Sequence, residues 1–184
     1  MNIDFSARPA REEYGDFHAD YIAGVPAGDI RKTLAREATA AATFYAAIPE
    51  AHSGSAYAPA KWTIREVVAH IADSERVFAY RALRFGRGDR TPLPGFDQDL
   101  WVPASHAAGR PWQDLLAELS AVRTASLQLF RSYSPEDWAR CGEASGVSVS
   151  VRALAWIVVG HELHHRRILV ERYGVGEAGT RTGE

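Results

Sequence analysis

Residues Ser150–Tyr173 read SVRALAWIVVGHELHHRRILVERY, and three of the chain's seven histidines, His161, His164 and His165, fall within this segment. Ser150 suits a helix N-cap and Gly174 a C-terminal stop, so the segment reads as one helix. His161 and His165 are four apart and lie one turn above each other. They share their face with Leu154, Ile157, Val158 and Ile168, which points it into a core. His164 falls to one side. An imidazole in such a position needs a partner for each ring nitrogen, or a metal. A pair at this spacing is a natural two-point grip for a metal ion. The alternative is one hydrogen-bonded core histidine with the others solvated at the rim.

Some ninety residues upstream, Thr63-Ile64-Arg65-Glu66 forms a capping-box pattern, with Trp62 placed as a hydrophobic staple. It predicts a second helix over about 64–85, with Val67, Val68, Ile71, Phe78 and Leu83 as its apolar stripe, ended by Gly86 and Gly88. His70 lies on this helix, flanked on its own face by Glu66 and Asp73. Beside the His161/His165 pair it becomes a third ligand candidate, with Glu66 and Asp73 as candidates for orienting it or for base work. Three neutral imidazoles would leave coordination positions open to water or substrate, as catalytic sites do, whereas a structural site is closed by a fourth protein ligand.

Two further helices are expected. One spans about 29–48, capped by Gly28 or Asp29 and stopped by Pro49; the other spans about 111–132, with Pro111 in its first turn. Four long amphipathic segments without a strong hairpin signal predict an all-α four-helix bundle over 28–174. Residues 1–27 are expected as an extended arm packed on the bundle, 140–149 as a Gly/Ser-rich loop, and 175–184 as a disordered tail. The connection 87–109 is long for a compact domain, and long ordered loops are often functional. Within it, Asp97, Asp99 and Trp101 are candidates for lining a pocket entrance. His18, His52 and His106 fall in the arm or loops and are expected to face solvent.

Composition narrows the function. The chain has 184 residues, 46% of them hydrophobic, and a net charge of -2, which argues against nucleic-acid binding through bulk positive charge. A single cysteine, Cys141, leaves no intrachain disulfide and no thiolate cluster. No apolar run is long enough to span a bilayer and the N-terminus is unlike a signal peptide, so a cytoplasmic, membrane-free protein is expected. His161-Glu162-Leu163-His164-His165 also matches the zinc-peptidase pattern H-E-x-x-H. That reading, the lesser alternative, needs Glu162 to reach a metal-bound water and a ligand on another downstream element, and the sequence downstream offers only Glu171 on the same helix and Glu177 and Glu184 in the tail.

Residues 62–75, WTIREVVAHIADSE, together with Gly160-His161-Glu162-Leu163-His164-His165-Arg166, resemble the DinB/YfiT-like family of metalloenzymes. Phe96-Asp97-Gln98-Asp99 is similar to that family's acidic segment in its long connection. The resemblance implies a four-helix bundle with long crossover connections, often a homodimer, and a divalent metal (nickel, zinc or iron) on His70, His161 and His165. His164 is then a non-ligand neighbour. It also implies either a metal-dependent hydrolase or a transferase using a low-molecular-weight thiol such as bacillithiol on a small-molecule substrate. A non-catalytic, metal-binding dimeric bundle is the rival expectation from another class.

Overall fold

The computed structural model describes residues 3–176. In chain order its elements are α1 (Ala19–Gly24), α2 (Ile30–Ala46), α3 (Glu50–Ser53), α4 (Ile64–Gly86), α5 (Gln98–Ala104), α6 (Trp112–Arg131), α7 (Pro135–Ala139), β1 (Cys141–Ala144), β2 (Val147–Ser150) and α8 (Val151–Tyr173). The long helices start where the sequence places caps. Asp29 accepts from the Arg31 amide, Thr63 and Glu66 close a reciprocal capping box, and Ser150 accepts from the Ala153 amide. Gly174 ends α8 in the left-handed region at φ 67°, and the Val175 amide returns to the Leu169 carbonyl.

The long helices α2, α4, α6 and α8 form the bundle. α4 packs on α6 and α8, and α2 packs on the same two, so α2 and α4 lie across a diagonal. Each diagonal step in the chain requires a crossing connection. The first half of α8 is apolar all round because it is covered all round: Ala153 to Val159 are all buried. α1 supplies the remaining cover, and Gly160 makes its close approach possible. A Cβ added there would lie 2.1 Å from the Tyr21 carbonyl oxygen.

Three expectations are corrected here. The arm is not extended: it forms two short 3-10 turns and α1, which buries Ile22 and is followed by buried Val25. The Arg8 guanidinium fastens it by donating to the carbonyls of Ile22 and Val25. Residues 141–150 form an antiparallel hairpin rather than a loop, with Ala144 opposite Val147 across Ser145-Gly146. Both turn residues have positive φ (55° and 77°), the requirement of a tight hairpin turn, and Ser-Gly meets it. Leu83 is exposed, and Phe85 takes the core position instead. As for the tail, Val175 packs into the core, and residues 177–184 lie outside the described residues. No helix among the described residues is long and apolar enough to cross a membrane.

Candidate metal centre

His70 projects from α4, and His161 and His165 from α8, where the two helices pack together. The Nε2 atoms of His70 and His161 are 3.1 Å apart, and those of His165 and His161 are 3.2 Å apart. One ring nitrogen from each residue lies within 4.8 Å of the others, and no further His, Cys, Asp or Glu joins them among the described residues. The three rings are buried. Burial pushes the His70 pKa down to about 4, and it pushes His161 and His165 well below the usual imidazole range, helped by the neighbouring rings. Neutral imidazole is the ligating form. Three such nitrogens cannot satisfy one another: the single lone pair of His161 Nε2 cannot serve two N–H donors well. A cation accepted by all three removes the conflict, so the donor set fits a divalent metal.

The surroundings hold these rings in place. Ser74, one turn beyond His70 on α4 and fully buried, has its Oγ 3.5 Å from His70 Nδ1. Trp62 lies against His70 with ring centroids 4.9 Å apart. Tyr21 of α1 stands edge-on to both His161 and His164, at 5.3 and 5.2 Å. On one side the cluster reaches a pocket of ≈ 220 Å³ whose wall includes His161, Ser74, His18 and Arg81. His18 is therefore not a solvent-facing arm residue. It is 3% exposed, and its pKa is lowered to about 4 by burial and by the nearby Arg81 charge. It sits beside Phe78 because the 3-10 turn Asp16–His18 folds it under α1. His52 is half-buried and His106 exposed.

Other sequence candidates are brought elsewhere. The Glu66 carboxylate is used by its own helix cap, accepting from the Thr63 amide at 2.7 Å and the Thr63 hydroxyl at 2.9 Å. Asp73 accepts from Arg76 at 3.0 Å on the outer face of α4. Neither is within hydrogen-bond distance of His70 in this arrangement; Ser74 takes that place. Asp97 caps α5 by accepting from the amides of Asp99 and Leu100, Asp99 is exposed, and Trp101 stacks on Phe96 at 4.8 Å. The pocket wall instead takes their neighbours Phe96 and Gln98. No pattern in the sequence distinguishes these alternating positions, because α5 is too short to show one.

Glu162 removes the peptidase reading. It is buried with its carboxylate turned to α2, accepting from the Tyr45 hydroxyl at 3.1 Å and from Arg166 at 3.3 Å. Arg166 also binds Glu37, at 2.7 Å. Burial raises Glu162 above the usual carboxylate range, against the pull of Arg166 and Arg123. A general base must reach the water it activates, and this carboxylate is committed to the bundle's other side.

Comparison with known proteins agrees with this architecture. YfiT from Bacillus subtilis, described as a probable metal-dependent hydrolase with an unusual four-helix bundle topology, superposes with a TM-score of 0.65 at 18% identity. The match covers 89% of this chain and 90% of YfiT. A mycothiol-dependent maleylpyruvate isomerase superposes with a TM-score of 0.61 at 19% identity, over 79% of this chain but only 60% of the isomerase. At these identities the likeness is one of fold. No curated protein sequence matches the chain. The family signature is decisive where pairwise identity is not: the pattern of the DinB superfamily matches residues 12–169, and the chain belongs to that superfamily.

Proposed function

We propose that this protein is a metal-dependent enzyme in which His70, His161 and His165 hold a divalent ion such as nickel, zinc or iron, acting on a small-molecule substrate. The observation that carries this reading is the convergence of three buried ring nitrogens beside a pocket, with no carboxylate or fourth histidine among the described residues to close the set. When bound, such an ion supplies Lewis acidity, which lowers the pKa of a coordinated water or thiol. The protein's part is positional. Burial keeps the three rings neutral, and Ser74 Oγ stands 3.5 Å from His70 Nδ1, where it would favour the tautomer with the proton on Nδ1 and the Nε2 lone pair turned to the cluster. Trp62, Tyr21 and Phe78 pack against the rings.

The nucleophile is water or a low-molecular-weight thiol of the bacillithiol class, giving a hydrolase or an S-transferase. A protein thiol is not the source: Cys141, the only cysteine, is exposed at the start of β1 and is neither in the histidine cluster nor in the wall of its pocket. The test is elemental analysis of the purified protein and of His70→Ala, followed by thiol-transfer and hydrolysis assays with metal removed and restored. Stoichiometric metal in wild type, lost in His70→Ala, is expected. A variant that binds metal as tightly as wild type refutes the ligand set, and full metal loading without either activity favours the non-catalytic reading. Family resemblance also leads us to expect a homodimer, which light scattering measures directly.

A further inference from the structure

The two deeply buried arginines solve the same problem differently. Arg123 pairs with Glu75, its Nε donating to both carboxylate oxygens at 2.9 Å. Arg81, 3% exposed, has no acidic partner among the described residues. Its Nη2 donates to the Pro94 carbonyl at 3.0 Å and the Ser145 hydroxyl at 2.9 Å, both neutral, and its Nε has no partner. Burying an unpaired guanidinium is expensive, and tying Pro94 and Ser145 to α4 needs only hydrogen bonds, not a positive charge. The charge calls for another explanation, and the pocket offers one. Arg81 lines the same ≈ 220 Å³ space as His161 and is its only formally charged wall residue among those described. His18, on the same wall, has Nδ1 buried and unpartnered. Phe17, Phe78 and Phe96 supply the apolar remainder.

We propose that this pocket is a subsite for a small carboxylate-bearing molecule, gripped by the Arg81 guanidinium beside the three-histidine cluster. One cation without a second matches a single negative charge, as on a carboxylate, better than a doubly charged phosphate group. The aromatic wall suits a flat or ring-sized body, and the volume lies below the usual range of sites for drug-sized ligands. The assignment names a substrate class for the proposed metal enzyme and draws its catalytic meaning from that reading, but the carboxylate grip itself does not require the metal.

The test uses fluorine NMR titration of para-fluorobenzoate and its neutral amide, para-fluorobenzamide. The proteins are wild type, Arg81→Gln, Arg81→Lys and His70→Ala, each as purified and after metal stripping. Wild type is expected to prefer the acid by about tenfold or more, the scale of a charge-assisted hydrogen bond. The preference survives stripping and His70→Ala, is lost in Arg81→Gln, and is partly kept in Arg81→Lys. Circular dichroism checks folding; should Arg81→Gln not fold, the wild-type and Arg81→Lys preferences decide. Equal binding of acid and amide by wild type, or no binding of the acid, overturns the proposal. So does a preference that disappears with the metal or persists in Arg81→Gln, which would put the carboxylate elsewhere. Purified protein free of metal would count against the metal centre and leave the carboxylate subsite standing.

Discussion

Replacing Gly160 by alanine sets two opposed effects against each other, and the structure says which wins. Gly160 lies in the interior of α8, where Gly→Ala ordinarily stabilises by about 1 kcal/mol through helix propensity. Here the new Cβ would stand 2.1 Å from the Tyr21 carbonyl oxygen and 2.5 Å from its carbonyl carbon. That is a deficit of about 1 Å against ordinary contact, and the obstacle is backbone rather than the end of a flexible side chain. α1 cannot move away cheaply, since Ile22 and Val25 are buried and the Arg8 guanidinium holds the carbonyls of both. Overpacking of this kind costs about 1–3 kcal/mol, with backbone clashes toward the upper end. The net expectation is a loss of about 1–2 kcal/mol, seen as a fall of roughly 2–8 °C in the thermal midpoint for a chain of this size. Urea unfolding of wild type and Gly160→Ala, at equal protein concentration and after metal stripping, measures it. A midpoint equal to or above wild type would refute the close-approach argument and leave Gly160 as merely a weak helix residue. The displaced Tyr21 should also loosen the wall over His161, so a weaker metal affinity is expected in the same variant.

Three other outcomes follow from named contacts. Ser74→Ala removes the oxygen 3.5 Å from His70 Nδ1 and is expected to weaken metal affinity about tenfold, the lower end for a residue that orients a ligand, while leaving the fold intact; competition with a chromogenic chelator reads it, and unchanged affinity counts against the orienting role. Glu75→Gln strips the buried Arg123 of its counter-charge and is expected to cost about 3–5 kcal/mol by urea unfolding, with much of the loss recovered when Arg123→Met is added; a loss under 1 kcal/mol would mean that water reaches the pair. For His18, the folded pKa of about 4 lies below the ordinary 6.5, so between those values the unfolded chain binds more protons. Its contribution is complete above about pH 6.5 and is lost as pH falls toward 4, amounting to roughly 2 kcal/mol at pH 5. His18→Gln should therefore lose less stability than wild type between pH 7 and pH 5, and parallel pH profiles would contradict its burial.

Two groups of buried polar side chains differ in how they are paired. On the side of α2 and α6, Tyr45, Glu162, Arg166, Glu37, Arg123 and Glu75 are paired with one another through hydrogen bonds and ion pairs, with only Arg123 Nη1 left without a partner among the described residues, and a groove of ≈ 560 Å³ opens beside them. On the side of α1 and α4, the three histidines, His18 and Arg81 are left with unmet bonding capacity. Charges paired in this way hold a fold together, whereas an unpaired charge and unmet ring nitrogens beside a pocket are what a ligand or ion can use. Glu162 and His161 are adjacent in sequence yet belong to different systems, because neighbouring residues on a helix point about 100° apart.

Much of this was legible in the sequence. Caps at Asp29, Thr63 and Ser150, the stop at Gly174, and the 3.6-residue spacing of apolar positions define the four long helices through local chemistry, which a sequence carries in full. The i, i+4 pair His161 and His165 and the inward register of His70 are likewise properties of single helices. What the sequence could not decide depends on how separate segments meet. Glu66 and Asp73 read as attractive partners for His70, but one is consumed by its cap and the other by Arg76, while Ser74, an unremarkable residue, faces the ring. His18 and Arg81 carry no pattern at all; they matter because α1 folds onto α8 over Gly160 and the hairpin tip at Ser145 meets α4. Periodicity fixes which way a side chain points from its own helix. Only packing decides what stands opposite it, and so which polar groups are satisfied and which are left for a ligand.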